Sequence, residues 1–99
     1  MEYKISQEAN RDIENIWLYT FENWSLEQAD RYFNIIMDEI EYLTRSPELG
    51  KDYSQVKKEY FRSRIKSHLI FYKINRKIEE VEIIRILHQR MDIESRLNE

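Results

Sequence analysis

The spacing of apolar side chains changes once along this chain, at its only glycine, and that change narrows the folds open to it. Before Gly50 the spacing is helical. Ala9, Ile13, Ile16, Trp17, Phe21 and Trp24 follow one another at intervals of 4, 3, 1, 4 and 3 residues, a single stripe of a 3.6-residue helix. Ser6 stands where an N-cap oxygen is wanted, and Glu8, Asp12 and Glu14 put negative charge where the helix dipole favours it. A break is expected at Asn23-Trp24. Ser25-Leu26-Glu27-Gln28 then has the form of a capping box, and Ala29, Tyr32, Phe33, Ile36, Ile40 and Leu43 form the apolar face of a second helix. Pro47 stops it by disfavouring helical geometry at Ser46. So short a connection predicts an antiparallel helical hairpin.

After Gly50 the period is two. Tyr60-Phe61-Arg62-Ser63-Arg64-Ile65-Lys66 sets Phe61 and Ile65 against Arg62, Arg64 and Lys66, one face for the core and one basic. Residues 68–74 are apolar on both faces, as a central strand should be. Asn75-Arg76-Lys77 fits a hairpin turn, with Asn75 suited to the left-handed position. Residues 80–88, rich in Val81, Ile83, Ile84 and Ile86, read as the last strand. Residues 3–5 add a short first strand. Asp92 caps a final short helix holding Ile93 and Leu97, with Met91 packed beneath it. The expected fold is α+β, in the order β-α-α-β-β-β with a short C-terminal helix: a helical hairpin packed on a mainly antiparallel sheet. Ninety-nine residues without repeat or linker predict one domain, 1–99.

Composition removes several chemistries. The chain has no cysteine, so disulfides, zinc thiolate sites and thiol nucleophiles are excluded. One glycine cannot build a phosphate-cradling loop, and no serine sits in a glycine-flanked elbow. His68 and His88 are the side chains that titrate near neutrality, but no HxxxH or similar spacing suggests a metal, and no cofactor is implied. The N-terminus lacks the features of a signal peptide and no apolar run approaches the roughly 20 residues of a membrane span, so the expected location is cytoplasmic. Residues 1–50 carry eleven Asp and Glu against four Lys and Arg, a net of −7. Residues 51–99 carry eight against twelve, a net of +4. The whole is a poor general ligand for nucleic acid, but its second half suits an acidic partner. Tyr60, Arg62 and Arg64 lie in the most basic segment, which reads either as a partner-binding face or as an edge strand protected by charge.

The run Arg85-Ile86-Leu87-His88-Gln89-Arg90-Met91-Asp92 resembles a signature of the ParE branch of the RelE/ParE toxins. An A-x-x-D-I-x-x-I-W-x-Y-T stretch (Ala9, Asp12, Ile13, Ile16, Trp17, Tyr19, Thr20) precedes it, as do Trp24, Gln28, Ala29 and Tyr32 in the pattern W-x-x-x-Q-A-x-x-Y. The P-x-x-G turn Pro47 to Gly50 and an H-x-I-F-Y strand at His68, Ile70, Phe71 and Tyr72 follow in the same order. The resemblance implies a plasmid- or chromosome-encoded type II toxin that inhibits DNA gyrase and is neutralised by a ParD-like antitoxin, meeting DNA only through that antitoxin. RelE-like relatives instead cleave mRNA on the ribosome. A toxin that only binds its antitoxin is a third implication. For cleavage, Arg85 and His88 are the candidate catalytic residues, and the C-terminal tyrosine usual in such nucleases is missing because none follows Tyr72. For non-catalytic binding of antitoxin or target, the candidates are Tyr60, Arg62, Arg64, Arg85, His88 and Arg90.

Overall fold

The computed structural model describes residues 1–98. Strand β1 (Glu2–Ile5) leads into helices α1 (Gln7–Asn23) and α2 (Leu26–Arg45). A single 3-10 turn (Pro47–Leu49) then precedes β2 (Lys51–Asp52), β3 (Phe61–Ile65), β4 (His68–Asn75), β5 (Glu80–His88) and α3 (Ile93–Leu97). The strands form one sheet in the order β1-β5-β4-β3-β2. All neighbours are antiparallel except β1 and β5, where the crossover through both helices returns a parallel partner. The α+β hairpin-on-sheet architecture is the one the apolar spacing predicts. The two-residue β2 was not expected, and it pairs only Lys51 with Arg62 and Asp52 with Phe61.

Both predicted caps form. Ser6 Oγ accepts from the Ala9 amide at 3.0 Å and Ser25 Oγ from the Gln28 amide at 3.1 Å. Asp92 caps α3, accepting from Ser95, but Met91 is exposed rather than packed beneath that helix. The β4–β5 turn also differs from expectation. Asn75 ends β4 and accepts from the Lys77 amide through Oδ1 at 3.2 Å, while the left-handed residue is Glu79 at φ 51°.

Both faces of the sheet are covered, which is why β4 is apolar on both sides. On one face Ala9, Ile13, Ile36, Ile40 and Leu43 of the helices meet Ile65, Ile70, Tyr72, Val81, Ile83 and Ile86. On the other, Leu69, Phe71 and Leu87 are covered by Tyr60 and by Leu97 of α3. A bulge in β5 serves both clusters. Phe71 pairs with Arg85 and Tyr72 with Ile83, so Ile84 has no partner and the alternation of faces resets there. Val81 and Ile83 on one side of the bulge and Ile86 on the other thereby reach the same helical layer.

Gly50 is required by close approach, since its φ of −67° is open to any residue. The fully buried Tyr72 donates to the Pro47 carbonyl at 2.7 Å, and a β-carbon on Gly50 would collide with that hydroxyl. Gly50→Ala should therefore lower stability by about 1–3 kcal/mol, the usual cost of overpacking, in a urea titration read by circular dichroism.

Candidate functional site

The site begins where β1 stops covering the edge of β5. Past Ile83 that edge has no strand beside it among the described residues, and the polar side chains of α1 take over the pairing. The Ser6 amide donates to Ile83 O at 2.9 Å, and the Ser6 hydroxyl donates to Ile84 O at 2.7 Å while it also caps α1. Nearly two turns further on, Asp12 Oδ2 accepts from the Ile86 amide at 2.9 Å. The same carboxylate takes the Arg85 guanidinium in bidentate fashion, from Nε at 2.9 Å and Nη2 at 3.1 Å. Arg85 Nη1 donates to Arg96 O, tying in α3. The two side chains are 12% and 13% exposed, so this is a nearly buried, fully bonded ion pair. Sequence reasoning placed Asp12 as a dipole partner and missed this role. The signal available was an acid in the sheet-facing half of an otherwise apolar helix stripe.

Beside this pair, α1 and α2 overhang the end of the sheet and enclose a groove of about 910 Å³. Its walls are Ile16, Tyr19 and Trp24 from α1 and its C-cap, with Gln28, Arg31 and Ile35 from α2. Trp24 is 70% exposed although it continues the apolar stripe, because the helix has run past the sheet. The floor is Lys66, Ser67, His68 and His88, with Met91 and Arg96 on the far side. His68 and His88 are register partners on β4 and β5, with ring centroids 5.1 Å apart and nearly perpendicular. The Tyr32 hydroxyl donates to Ile65 O at 3.2 Å and shares a 2.6 Å bond with His68 Nδ1. His88 Nδ1 accepts from the Arg90 amide at 3.1 Å. Burial, with a smaller contribution from His88, lowers the His68 pKa to about 4 against a small opposing effect of Asp12, so His68 is neutral at pH 7.

The groove is basic in an acidic protein. Arg31, Lys66 and Arg96 line it, and Asp12, the lone carboxylate among the lining residues, is already engaged by Arg85. Aromatic walls and an excess of cations suit an acidic amphipathic chain or an aromatic anion.

The structure divides the sequence-predicted site residues. His88 lies in the groove floor and Arg85 at its back, held by Asp12. Arg62 and Arg64 are elsewhere. Arg62 sits 5.5 Å over the Tyr53 ring on the opposite face of the sheet, and exposed Arg64 donates from Nε to Lys66 O. Tyr60, expected beside them on the surface, is only 7% exposed and belongs to the second core cluster. Arg90 is exposed in the turn after β5. Tyr19, Trp24 and Lys66 enter the sequence analysis only as motif, stripe and strand residues, and Arg31 does not enter it at all, yet all four line the groove. Among the described residues no three His, Asp or Glu side chains lie close enough to hold a metal ion, and no helix is long and apolar enough to cross a membrane.

Two measurements check these assignments. Asp12→Ala takes the bidentate carboxylate away from nearly buried Arg85 and should cost about 3–5 kcal/mol in chemical denaturation, with partial recovery in Asp12→Ala/Arg85→Met. Neutral His68 contributes stability that is complete above pH 6.5 and is lost as the pH falls toward about 4, because only the unfolded chain takes up the proton in that window. The urea midpoint of the wild type should therefore drop between about pH 7 and about pH 5 more steeply than that of His68→Gln.

Comparison with known proteins accounts for this fold. Residues 3–93 match the family described as the ParE toxin of the type II toxin-antitoxin system, parDE. The chain is 34% identical over 95 residues to the toxin ParE1 of Caulobacter vibrioides, covering 96% of each chain. Among solved structures, it superimposes on a chain of the chromosomal ParDE system of P. aeruginosa with a TM-score of 0.77 at 16% identity, covering 89% of this chain and 95% of that one. A chain of the RelBE2 toxin-antitoxin complex of Mycobacterium tuberculosis follows at 0.69 and 19%, covering 88% and 95%. The last two likenesses speak to the fold alone; the family match spans most of the sequence, and this chain belongs to the ParE toxins of type II toxin-antitoxin systems.

Proposed function

We propose that this toxin arrests growth by binding DNA gyrase, and that a ParD-like antitoxin neutralises it by filling the basic groove. The observation that carries the non-catalytic reading is the fate of Arg85. Phosphodiester cleavage needs an acid, a base and a cation available to the developing phosphate charge. Arg85, the candidate for that last role, spends its guanidinium on Asp12 and on a backbone carbonyl. The acidic balance, with a pI near 5.5, also suits a protein target better than ribosomal RNA. The toxin acts in the cytoplasm and reaches DNA only through its antitoxin, the pair stabilising the plasmid or chromosomal segment that encodes it.

The antitoxin segment has two parts in this reading. An amphipathic helix lays its apolar side between Tyr19, Trp24 and Ile35 and its acidic side on Arg31, Lys66 and Arg96. An extended stretch pairs with the outer edge of β3, where β2 covers only Phe61 and Arg62 and leaves residues 63–65 open among the described residues. Arg62 and Arg64 contact its carboxylates.

One observation favours a second reading. The edge-to-face pair His68 and His88 sits in a groove also lined by Arg31, Lys66, Arg85 and Arg96, and two imidazoles could act as acid and base in ribosome-dependent RNA cleavage. A paired assay separates the two. Purified toxin should inhibit supercoiling by gyrase and leave message on translating ribosomes intact, with His88→Gln retaining most of the inhibition. Message cut by the wild type and spared by His88→Gln, with supercoiling untouched, would promote the nuclease. In the same preparation, Arg31→Glu/Lys66→Glu and Arg62→Glu/Arg64→Glu should each weaken antitoxin binding at least about tenfold and flatten its salt dependence. Unchanged affinity in either double variant removes that surface from the interface.

A further inference from the structure

We propose that the face of the α1–α2 hairpin turned away from the groove is the surface that meets the toxin's target, and that it fits a partner surface that is basic around an apolar centre. The inference rests on the reading that the toxin acts by binding a protein, and on gyrase only for one assay.

The fold itself does not use this face. The helices bury Ala9, Ile13, Ala29, Ile36, Ile40 and Leu43 against the sheet and against each other, yet Leu18, Phe21, Leu26 and Phe33 stay 39–49% exposed. They are held close together. Trp17 stacks on Phe21 at 5.3 Å between ring centroids, and its indole Nε1 donates to Asp30 Oδ1 at 2.9 Å. That bond joins the two helices midway along the patch, since the antiparallel hairpin that sets Trp17 beside Asp30 brings Phe21 toward Leu26. None of Trp17, Leu18, Phe21, Leu26 or Phe33 lines the groove. Large apolar side chains gathered on a face the core does not need mark an interaction surface more often than chance exposure.

Charge names the partner. From residue 12 to residue 30 the chain contains no Lys or Arg, and it holds Asp12, Glu14, Glu22, Glu27 and Asp30. Asp12 is turned to Arg85. The others fall around the patch: Glu14 and Glu22 one turn to either side of Leu18, Glu27 next to Leu26, and Asp30 between Leu26 and Phe33. Arg11, a turn before Glu14, is the single cation at that margin, and Arg31 is turned into the groove. An acidic antitoxin segment is repelled by this rim and attracted to the groove behind it. A second copy pairing the same face across a two-fold axis would set acidic rim against acidic rim. A basic surface with an apolar centre gains on both counts. One hairpin thus presents two faces of opposite sign, one for the antitoxin and one for the target.

The test uses full-length toxin and two double variants of exposed residues, Leu18→Gln/Phe21→Gln and Glu22→Lys/Glu27→Lys. Survival after induction in bacterial cells is compared with antitoxin affinity by calorimetry. Both variants should raise survival by about a hundredfold while holding antitoxin affinity within about threefold. Retained affinity also shows that each variant is folded. Undiminished killing by both variants, affinity lost in parallel with toxicity, a wild-type dimer that the variants dissolve, or a harmless wild type would each overturn the assignment. Gyrase is judged separately: a toxic wild type that leaves supercoiling untouched removes gyrase and keeps this face.

Discussion

The Asp12 carboxylate does the work of the missing end of a strand. β1 is four residues long and β5 is nine, so the far half of β5 faces the helices with its edge amides and carbonyls uncovered. An unpaired buried backbone amide costs about as much as a lost hydrogen bond, and here Ser6 and Asp12 supply the partners from α1. Asp12 also needs a counter-charge once it is nearly buried, and Arg85, next to the amide it accepts from, provides it in a bidentate geometry. The helix is thereby fixed to the sheet at one angle. Everything beyond that point, the overhang of α1 and α2 and the groove beneath it, inherits its geometry from this contact.

The same contact decides what Arg85 is for. An arginine in the last strand of such a fold invites a catalytic reading, and its position in the sequence does not distinguish a phosphate clamp from a structural cation. The distinction is made by a residue 73 positions away. Such a partnership is invisible to local spacing, because the acid that makes it lies in a helix where a charge near the N-terminus already has an ordinary explanation.

Other parts of the molecule were legible in proportion to how local their causes are. The two helices, their serine caps and the proline stop rest on neighbours within four residues, and all stand as the spacing implies. β4 shows in the sequence because its run Leu69 to Tyr72, covered on both faces, is apolar on both, and β5 shows by its β-branched Val81, Ile83, Ile84 and Ile86. The two residues of β2 carry no period, and the bulge at Ile84 shows only when the two apolar layers are known. Tyr60 illustrates the limit most plainly. In alternation with Arg62 and Arg64 it reads as part of a basic, outward face, yet that face of the sheet is covered at Tyr60, where Leu69, Phe71 and Leu97 belong to one buried cluster with it. The groove cations Arg31, Lys66 and Arg96 come from three separate elements, so no stretch of sequence gathers them.

A helical hairpin whose tip overhangs its sheet has both long sides available, and this one divides aromatic surface and charge between them. Trp24 belongs to the groove and Trp17 to the acidic face, and the chain has only these two tryptophans. Their indole N–H signals in an NMR spectrum of nitrogen-labelled toxin therefore report the two faces separately. Adding antitoxin to the free toxin should move the Trp24 signal and leave that of Trp17, bonded to Asp30, in place. A shift of Trp17 with Trp24 unmoved would contradict the division of the hairpin into an antitoxin side and a target side.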